Sequence, residues 1–340
     1  MANVSVIGID LAKTVFQLHG AGRGGTAALR KTLRRGQVME FMARLPKCTI
    51  GMEASSGAHY WAREFEKMGH VVRLIAPQFV KPYVKSNKND AADAEAICEA
   101  LTRPNMRFVS IKPVAHQDIQ CVHRIRERLV GNRTGLVNEI RGLLAEYGVV
   151  LPMGIGHIRR QLPRILEDAE VGLTDPSREL FADLLDEFGH LEERIATYDT
   201  RLRRIFRTNQ DLCGRLTKVP GVGPITATAM LAVSSQVHGF KNGRQFSAFL
   251  GLVPRQNSSG GKTVLGGISK RGDRYLRCLL IHGARAALSR AEGKTDRLSR
   301  WAIKKRESRG TNKACVALAN KNARILWALM KTGEEYRRAA

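Results

Sequence analysis

The stretch VSVIGIDLAKTVFQLHGAGRGGTAALRKTL, residues 4–33, decides how the amino-terminal part of the chain folds. VSVIGI, residues 4–9, is a short, β-branched apolar run of the kind that forms a buried strand, and it ends directly on Asp10. TVFQLHG and TAALRKTL, parted by AGRGG, read as hairpin strands. Further along, GQVMEFMARL has helical apolar spacing, and CTIGME predicts a strand ending on Glu53. GAHYWAREFEKMG predicts a helix closed by Gly69, and HVVRLIAP a strand stopped by Pro77.

Three strands followed by alternating helix and strand make an α/β layer with a central sheet, in the order of the ribonuclease H-like arrangement. A helix is expected from Asn89, because NDAADAEAICEAL supplies a cap, acids in the first turn and then strong helix formers, and it stops before Pro104. Asp10 and Glu53 each end a strand, and Asp90 and Asp93 stand three apart on one helical face. Four carboxylates so placed fit two hard divalent cations about 4 Å apart, with Mg²⁺ the natural occupant of oxygen-only ligation. Taken singly, each acid has a plainer reading: Asp90 as a helix cap, Asp10 as a surface residue at a strand end.

The rest of the chain is basic. Of 340 residues, 56 are Lys or Arg and 31 Asp or Glu, a formal net charge of +25. Residues 214–340 alone carry 25 Lys or Arg against 6 acids. Such an excess points to a polyanionic partner, nucleic acid before all others. Hydrophobic content of 43% and charged content of 26% suit a globular protein of two or three domains. The six cysteines show no C-x-x-C pair, so neither zinc nor a disulfide framework is indicated. No apolar run reaches membrane-spanning length and no leader pattern opens the chain, so a cytoplasmic protein with no membrane partner is expected.

Beyond residue 115 the chain turns to long, charged helical stretches. Phe181, Leu184, Phe188, Leu191, Ile195, Tyr198, Leu202 and Ile205 recur at the steps of a coiled-coil seam, and Val122, Ile125, Leu129, Leu136, Ile140, Leu143 and Tyr147 form a looser stripe. LPMGIGHIRRQLPRI, with two prolines and two glycines, is expected to break the helix between them. A helical hairpin, a dimerising stalk and an ordinary bundle all fit. LTKVPGVGPITATAMLA has the form of a helix-hairpin-helix contact to a DNA backbone, and equally of a glycine turn between packed helices.

In PRQNSSGGK, Gly260 and Gly261 let the backbone approach a phosphate that Arg255 and Lys262 can neutralise. A serine beside Gly-Gly is ordinarily a turn residue. As a nucleophile, Ser259 needs activation by arginines, by metal or by another domain, since no histidine is near in sequence.

IGIDLAKTVF, IGMEASSGAHYW and NKNDAADAEAICEA resemble the acidic tetrad of the bacterial DEDD transposases, the insertion-sequence one-ten family that includes the pilin-gene invertases. LTKVPGVGPITATAML, RQFSAFLGLVPRQNSSGGK and ISKRGDRYLRCLLIHGA resemble that family's carboxy-terminal transposase domain, and length and the NSSGGK variant point to its eleven-eleven subgroup. The resemblance implies an α/β plus mainly α chain: a RuvC-like domain at residues 1–112, a long-helix coiled-coil segment for oligomerisation at 113–213, and a basic transposase domain at 214–340. It implies that Asp10, Glu53, Asp90 and Asp93 bind Mg²⁺ and that Ser259 forms a phosphoserine link to DNA, with Ser258 the other register. It further implies a dimer or tetramer in which the acids of one protomer complete a site with the serine of another, and a structured non-coding guide RNA that pairs with donor and target DNA. Lys270, Arg271, Arg274 and Arg277 join Arg255 and Lys262 as expected nucleic-acid contacts by proximity. The alternatives are a metal-dependent, structure-specific nuclease without a covalent step, and a non-catalytic basic binder.

Overall fold

The computed structural model describes residues 4–85 and 89–337, so Asn87 and Lys88 of the NKND stretch lie outside the described residues. The chain divides into two compact units. The first comprises the residues up to Pro113 together with Val233–Lys241, and the second Val114–Ala232 with the residues from Asn242 onward.

The first unit runs β1 (Val6–Leu11), β2 (Val15–Ala21), β3 (Ala27–Arg34), α1 (Val38–Ala43), β4 (Thr49–Glu53), α2 (Ala58–Lys67), β5 (Val71–Ile75), α3 (Pro77–Val80), α4 (Asp90–Leu101) and β6 (Phe108–Val109). Its sheet has the order β3-β2-β1-β4-β5-β6. β1, β2 and β3 form an antiparallel meander, β4 and β5 continue parallel to β1, and β6 is antiparallel to β5. Alternation along β1 sends Ile7 and Ile9 into a core with Phe16, Ile50, Met52, Trp61 and Phe65. The intervening Gly8 faces α4, and a Cβ there would lie 2.2 Å from the Ala94 carbonyl oxygen and 2.5 Å from the Cys98 nitrogen. α4 therefore rests directly on the β1 backbone, as its small residues Ala94 and Cys98 permit. Residues 233–241 add a short 3-10 turn, Ser234–Gly239, whose Val237 is fully buried.

The second unit contains α5 (Val114–Ala145), α6 (Ile155–Glu167), α7 (Asp175–Thr208), α8 (Gln210–Thr217), α9 (Pro224–Leu231), α10 (Gly243–Phe249), β7 (Pro254–Ser259), β8 (Lys262–Ile268), α11 (Arg274–Ser289), α12 (Arg297–Arg309) and α13 (Thr311–Thr332). α5 and α7 are antiparallel neighbours: Arg126 pairs with Asp199, Arg133 with Glu192 at 3.0 Å, and the Tyr147 and Phe181 rings meet at 5.9 Å. Leu129, Leu136, Ile140 and Leu144 of α5 share a core with Phe181, Phe188, Leu191 and Ile195 of α7. The apolar stripes read from the sequence thus face one another within one chain as a hairpin.

The chain leaves the helix at residues 146–154, where the break is expected, and again at 168–174; between them, against expectation, α6 forms and runs through Pro163. Ile158 and Leu162 are fully buried. Burial stabilises by about 1.5–3 kcal/mol for each such side chain, which offsets the roughly 3 kcal/mol cost of a proline inside a helix.

Across residue 213, α7, α8 and α9 pack against one another. α7 and α5 both contact α9, and buried His123 of α5 joins Tyr275 of α11 at 2.9 Å and Thr228 of α9 at 3.1 Å. The Thr228 hydroxyl donates to the Pro224 carbonyl, so His123 Nε2–H donates to Thr228 and Nδ1 accepts the Tyr275 hydroxyl proton. Burial pushes the imidazole down to about 4 and the Tyr275 phenol up to about 12, keeping both neutral.

The proposed helix-hairpin-helix stretch forms α8, a turn and α9, with Gly221 left-handed at φ 86°. A Cβ on Gly221 would lie 2.3 Å from the Gly283 carbonyl oxygen, and one on Gly283 would lie 1.9 Å from the Gly221 oxygen. Both glycines are thereby accounted for by close contact between the turn and α11. Among the described residues no helix is long and apolar enough to cross a membrane.

Candidate active site

Parallel pairing of β1 and β4 matches Ile9 with Met52, so the next residues, Asp10 and Glu53, fall side by side at the carboxyl edge of the sheet. α4 supplies the remaining acids. Its N-cap Asn89 accepts the Ala91 N–H at 3.0 Å, which fixes the first turn and sets Asp90 and Asp93 within it. Because Gly8 holds α4 against β1, that turn sits over the strand end. Carboxylate oxygens of Asp10, Asp90 and Asp93 all lie within 4.8 Å of one another. Glu53 is outside this trio, yet near enough for Asp93 to act on its charge.

The electrostatics match a cation site. Burial first, and then the charges of Asp90, Asp93 and Glu53, push the Asp10 carboxyl up to about 6. Burial and Asp93 raise Glu53 as well. Like charges gathered on the half-buried Asp10 and Asp93 and the exposed Asp90 repel, and a divalent cation relieves that repulsion. The donor set, all carboxylate oxygen, fits a hard metal ion.

The serine lies in the other unit, on a β-hairpin, where the sequence suggests a Gly-Gly turn or phosphate approach. β7 and β8 form a two-stranded hairpin joined by Gly260 and Gly261, both left-handed at φ 54° and 77°, as a two-residue primed turn requires. Apart from half-buried Ile268, both strands are exposed along their whole length. Ser259 pairs with Lys262 and Ser258 with Thr263, so the two serines point to opposite faces. Ser258 Oγ accepts a hydrogen bond from Gln256 Nε2 at 2.8 Å.

The base of the hairpin is clamped. Ser269 N–H donates to Val253 at 2.8 Å, and Lys270 N–H donates to Gly251 at 3.1 Å. A Cβ on Gly251 would lie 2.1 Å from the Arg271 oxygen, and one on Gly272 would lie 1.8 Å from the Phe249 oxygen. Arg277, expected to contact nucleic acid, instead serves this clamp: it is 8% exposed and Nη1 donates to the Leu250 carbonyl at 3.0 Å. Arg255, Lys262, Lys270, Arg271 and Arg274 are exposed, Lys270 in a left-handed conformation at φ 54°.

Comparison with known proteins agrees with the geometry. Residues 7–149 match a DEDD transposase family of the IS110 type, and residues 213–300 match the family described as "Transposase IS116/IS110/IS902 family". The chain is 50% identical to a probable family 20 transposase of Pseudomonas aeruginosa, over 98% of this chain and 99% of that one. It is 48% identical to the transposase for insertion sequence element IS1111A of Coxiella burnetii, over 99% and 92% of the two chains. Identity to the transposase for insertion sequence element IS1328 of Yersinia enterocolitica is 41%, over 98% of each.

Proposed function

We propose, from the premise that the chain belongs to the IS116/IS110/IS902 family of insertion-sequence transposases, that it cuts and rejoins DNA through a covalent bond to Ser259. Transposases break and reseal DNA, and the proposal concerns how this one does so. The observation that carries it is the exposed, clamped hairpin that presents Ser259 beside Lys262 with, among the described residues, no competing side-chain bond such as Ser258 has.

In this reading the Ser259 Oγ–P bond forms as the bond between phosphorus and a deoxyribose oxygen breaks, and the serine's proton is made good on the departing oxygen. The phosphate stays a diester throughout. Attack by a deoxyribose hydroxyl of another strand reverses the step and reseals DNA with no nucleotide cofactor. Lys262 and Arg255 stabilise the added negative charge on the phosphoryl oxygens. Asp10, Glu53, Asp90 and Asp93 would hold Mg²⁺, which when bound supplies polarisation of a phosphate oxygen.

The meander of β1–β3 continued by parallel β4 and β5, with acids at the edge, supports reading the first unit as a RuvC-like, ribonuclease H-like domain. Donor and target DNA, a structured non-coding guide RNA and a homo-oligomer, dimer or tetramer, complete the proposal. The net charge of +25 supports two nucleic acids held at once, with pairing choosing the sequence.

Incubation with element-end DNA and Mg²⁺, followed by a denaturing gel, tests the mechanism. The expected result is a protein–DNA adduct that Ser258→Ala retains and Ser259→Ala loses. Nicking without an adduct would instead establish the metal-dependent nuclease, and binding without cleavage the non-catalytic reading.

A further inference from the structure

The helices that close the chain take no part in the chemistry above, yet they are its most basic portion. Residues 297–332, which make up α12 and α13, hold ten Lys or Arg and a single acid, Glu307. Three of these cations gather where the two helices meet. Lys321 Nζ lies 4.3 Å from the centre of the Trp301 ring, which holds the ammonium in place on α12. Arg324 follows Lys321 by three residues on the same helical face. Its backbone is pinned by Gly243, where a Cβ would come within 3.0 Å of the Arg324 Cα. Arg324 Nε is buried and has no hydrogen-bond partner among the described residues.

Burial, and then the nearby charges of Arg297 and Arg324, push the Lys321 ammonium below its usual range. Asp296, adjacent to Arg297, is engaged in capping α12: its carboxylate accepts the Ser299 N–H at 3.0 Å and the Ser299 hydroxyl at 2.7 Å. Among the described residues no ion pair reaches Arg297, Lys321 or Arg324, whereas Arg306 of the same helix α12 pairs with Glu292 at 3.5 Å. A buried donor left unsatisfied and three cations held together are both costs to the free protein. An anion with several acceptor oxygens removes both at once, and a phosphate matches guanidinium geometry.

We infer that Arg297, Lys321 and Arg324 form a phosphodiester-binding site at the α12–α13 junction, which grips a nucleic-acid backbone and takes no part in strand cleavage. It rests on the proposed function only in requiring a chain that binds nucleic acid; it needs neither Ser259 nor the acids. Trp301 is covered by Lys321, so the site reads backbone charge and not bases. DNA and RNA share that chemistry, and the two arms of the test separate them.

Affinity is measured by fluorescence anisotropy across a salt series for a duplex of about 30 base pairs and for an RNA hairpin. The wild type is compared with R297Q/K321Q/R324Q and with K321Q alone. Each lost duplex contact makes the plot of log affinity against log salt shallower by about 0.9. The triple variant is therefore expected to lose roughly 2 to 3 from the slope and K321Q about 1, on whichever probe the site holds. Thermal melting is expected to show variants at least as stable as the wild type, because like charges have been removed, whereas a purely structural role would lower the melting temperature. The Ser259 adduct at saturating DNA should form as in the wild type. Unchanged slopes for both probes, in wild-type protein that binds them, overturn the site and leave the proposed function standing. Wild-type protein that binds neither probe overturns both. Loss of the adduct with unchanged slopes overturns only the separation of this site from cleavage.

Discussion

Ser259 and Lys262 occupy the last paired position of the β7–β8 hairpin, on the same face, at the two sides of the Gly260–Gly261 turn. Side chains so paired stand about 5 Å apart at Cβ. If the ammonium stabilises charge on the phosphate that Ser259 attacks, Lys262→Gln slows adduct formation by roughly 10² while DNA affinity changes only by the loss of one cation. Single-turnover gel kinetics against a binding isotherm separate the two effects. Equal loss in both would reduce Lys262 to a binding contact.

The crowding of acids has a pH signature. Asp10 has its carboxyl raised from 3.8 to about 6, so in metal-free protein its contribution to stability is present below about 4 and is lost as pH rises through 6. Asp10→Asn removes this dependence. Melting temperatures in chelator at pH 5 and pH 7.5 should therefore differ more for the wild type than for Asp10→Asn, and divalent metal should restore the wild type at the higher pH. Identical pH profiles for the two proteins would rule out the repulsion.

Gly8 couples the fold to the acids. A methyl at this position meets the backbone of α4 at Ala94 and Cys98, atoms that cannot rotate away. Gly8→Ala is expected to cost about 1–3 kcal/mol of stability by overpacking and to weaken metal binding by shifting Asp90 and Asp93 from Asp10. Chemical denaturation and calorimetric titration with Mg²⁺ or Mn²⁺ measure the two. Gly25→Ala, at a position with open space around it, is the control for handling, although its φ of 78° makes it mildly strained.

His123 gives the opposite pH dependence in the second unit. Its folded value of about 4 lies below the 6.5 of a free imidazole, so its stabilising contribution is complete above 6.5 and is lost as pH falls towards 4. The shift corresponds to about 3 kcal/mol at most. Urea unfolding of wild type and His123→Gln between pH 4 and pH 7 should show the slope in the wild type alone.

Much of this was legible in the sequence where local chemistry dominates. Apolar runs ending on Asp10 and Glu53, and the Asn89 cap ahead of Asp90 and Asp93, depend on neighbours in the chain: Asp10 is next to last in β1, Glu53 ends β4, and Asp90 and Asp93 lie in the first turn of α4. What escaped depends on distant partners. Gly8 is an ordinary strand residue until α4 lies across it, and Arg277 is one more arginine in a basic run until its guanidinium finds Leu250. Pro163 stays in a helix because of what Ile158 and Leu162 bury. The β7–β8 hairpin did leave a signal, a Gly-Gly pair flanked by strand-length segments, but the same glycines equally fit a loop that approaches a phosphate.

The brief return of Val233–Lys241 to the first unit has a consequence for dissecting the protein. The polypeptide changes unit after Pro113, again after Ala232 and once more after Lys241. A fragment ended at Pro113 would lose the Ser234–Gly239 turn that packs beside β6, and a fragment begun at Val114 would carry that turn, with its buried Val237, away from β6. Neither half can be excised with a single cut: separating the acid-bearing part from the serine-bearing part takes three.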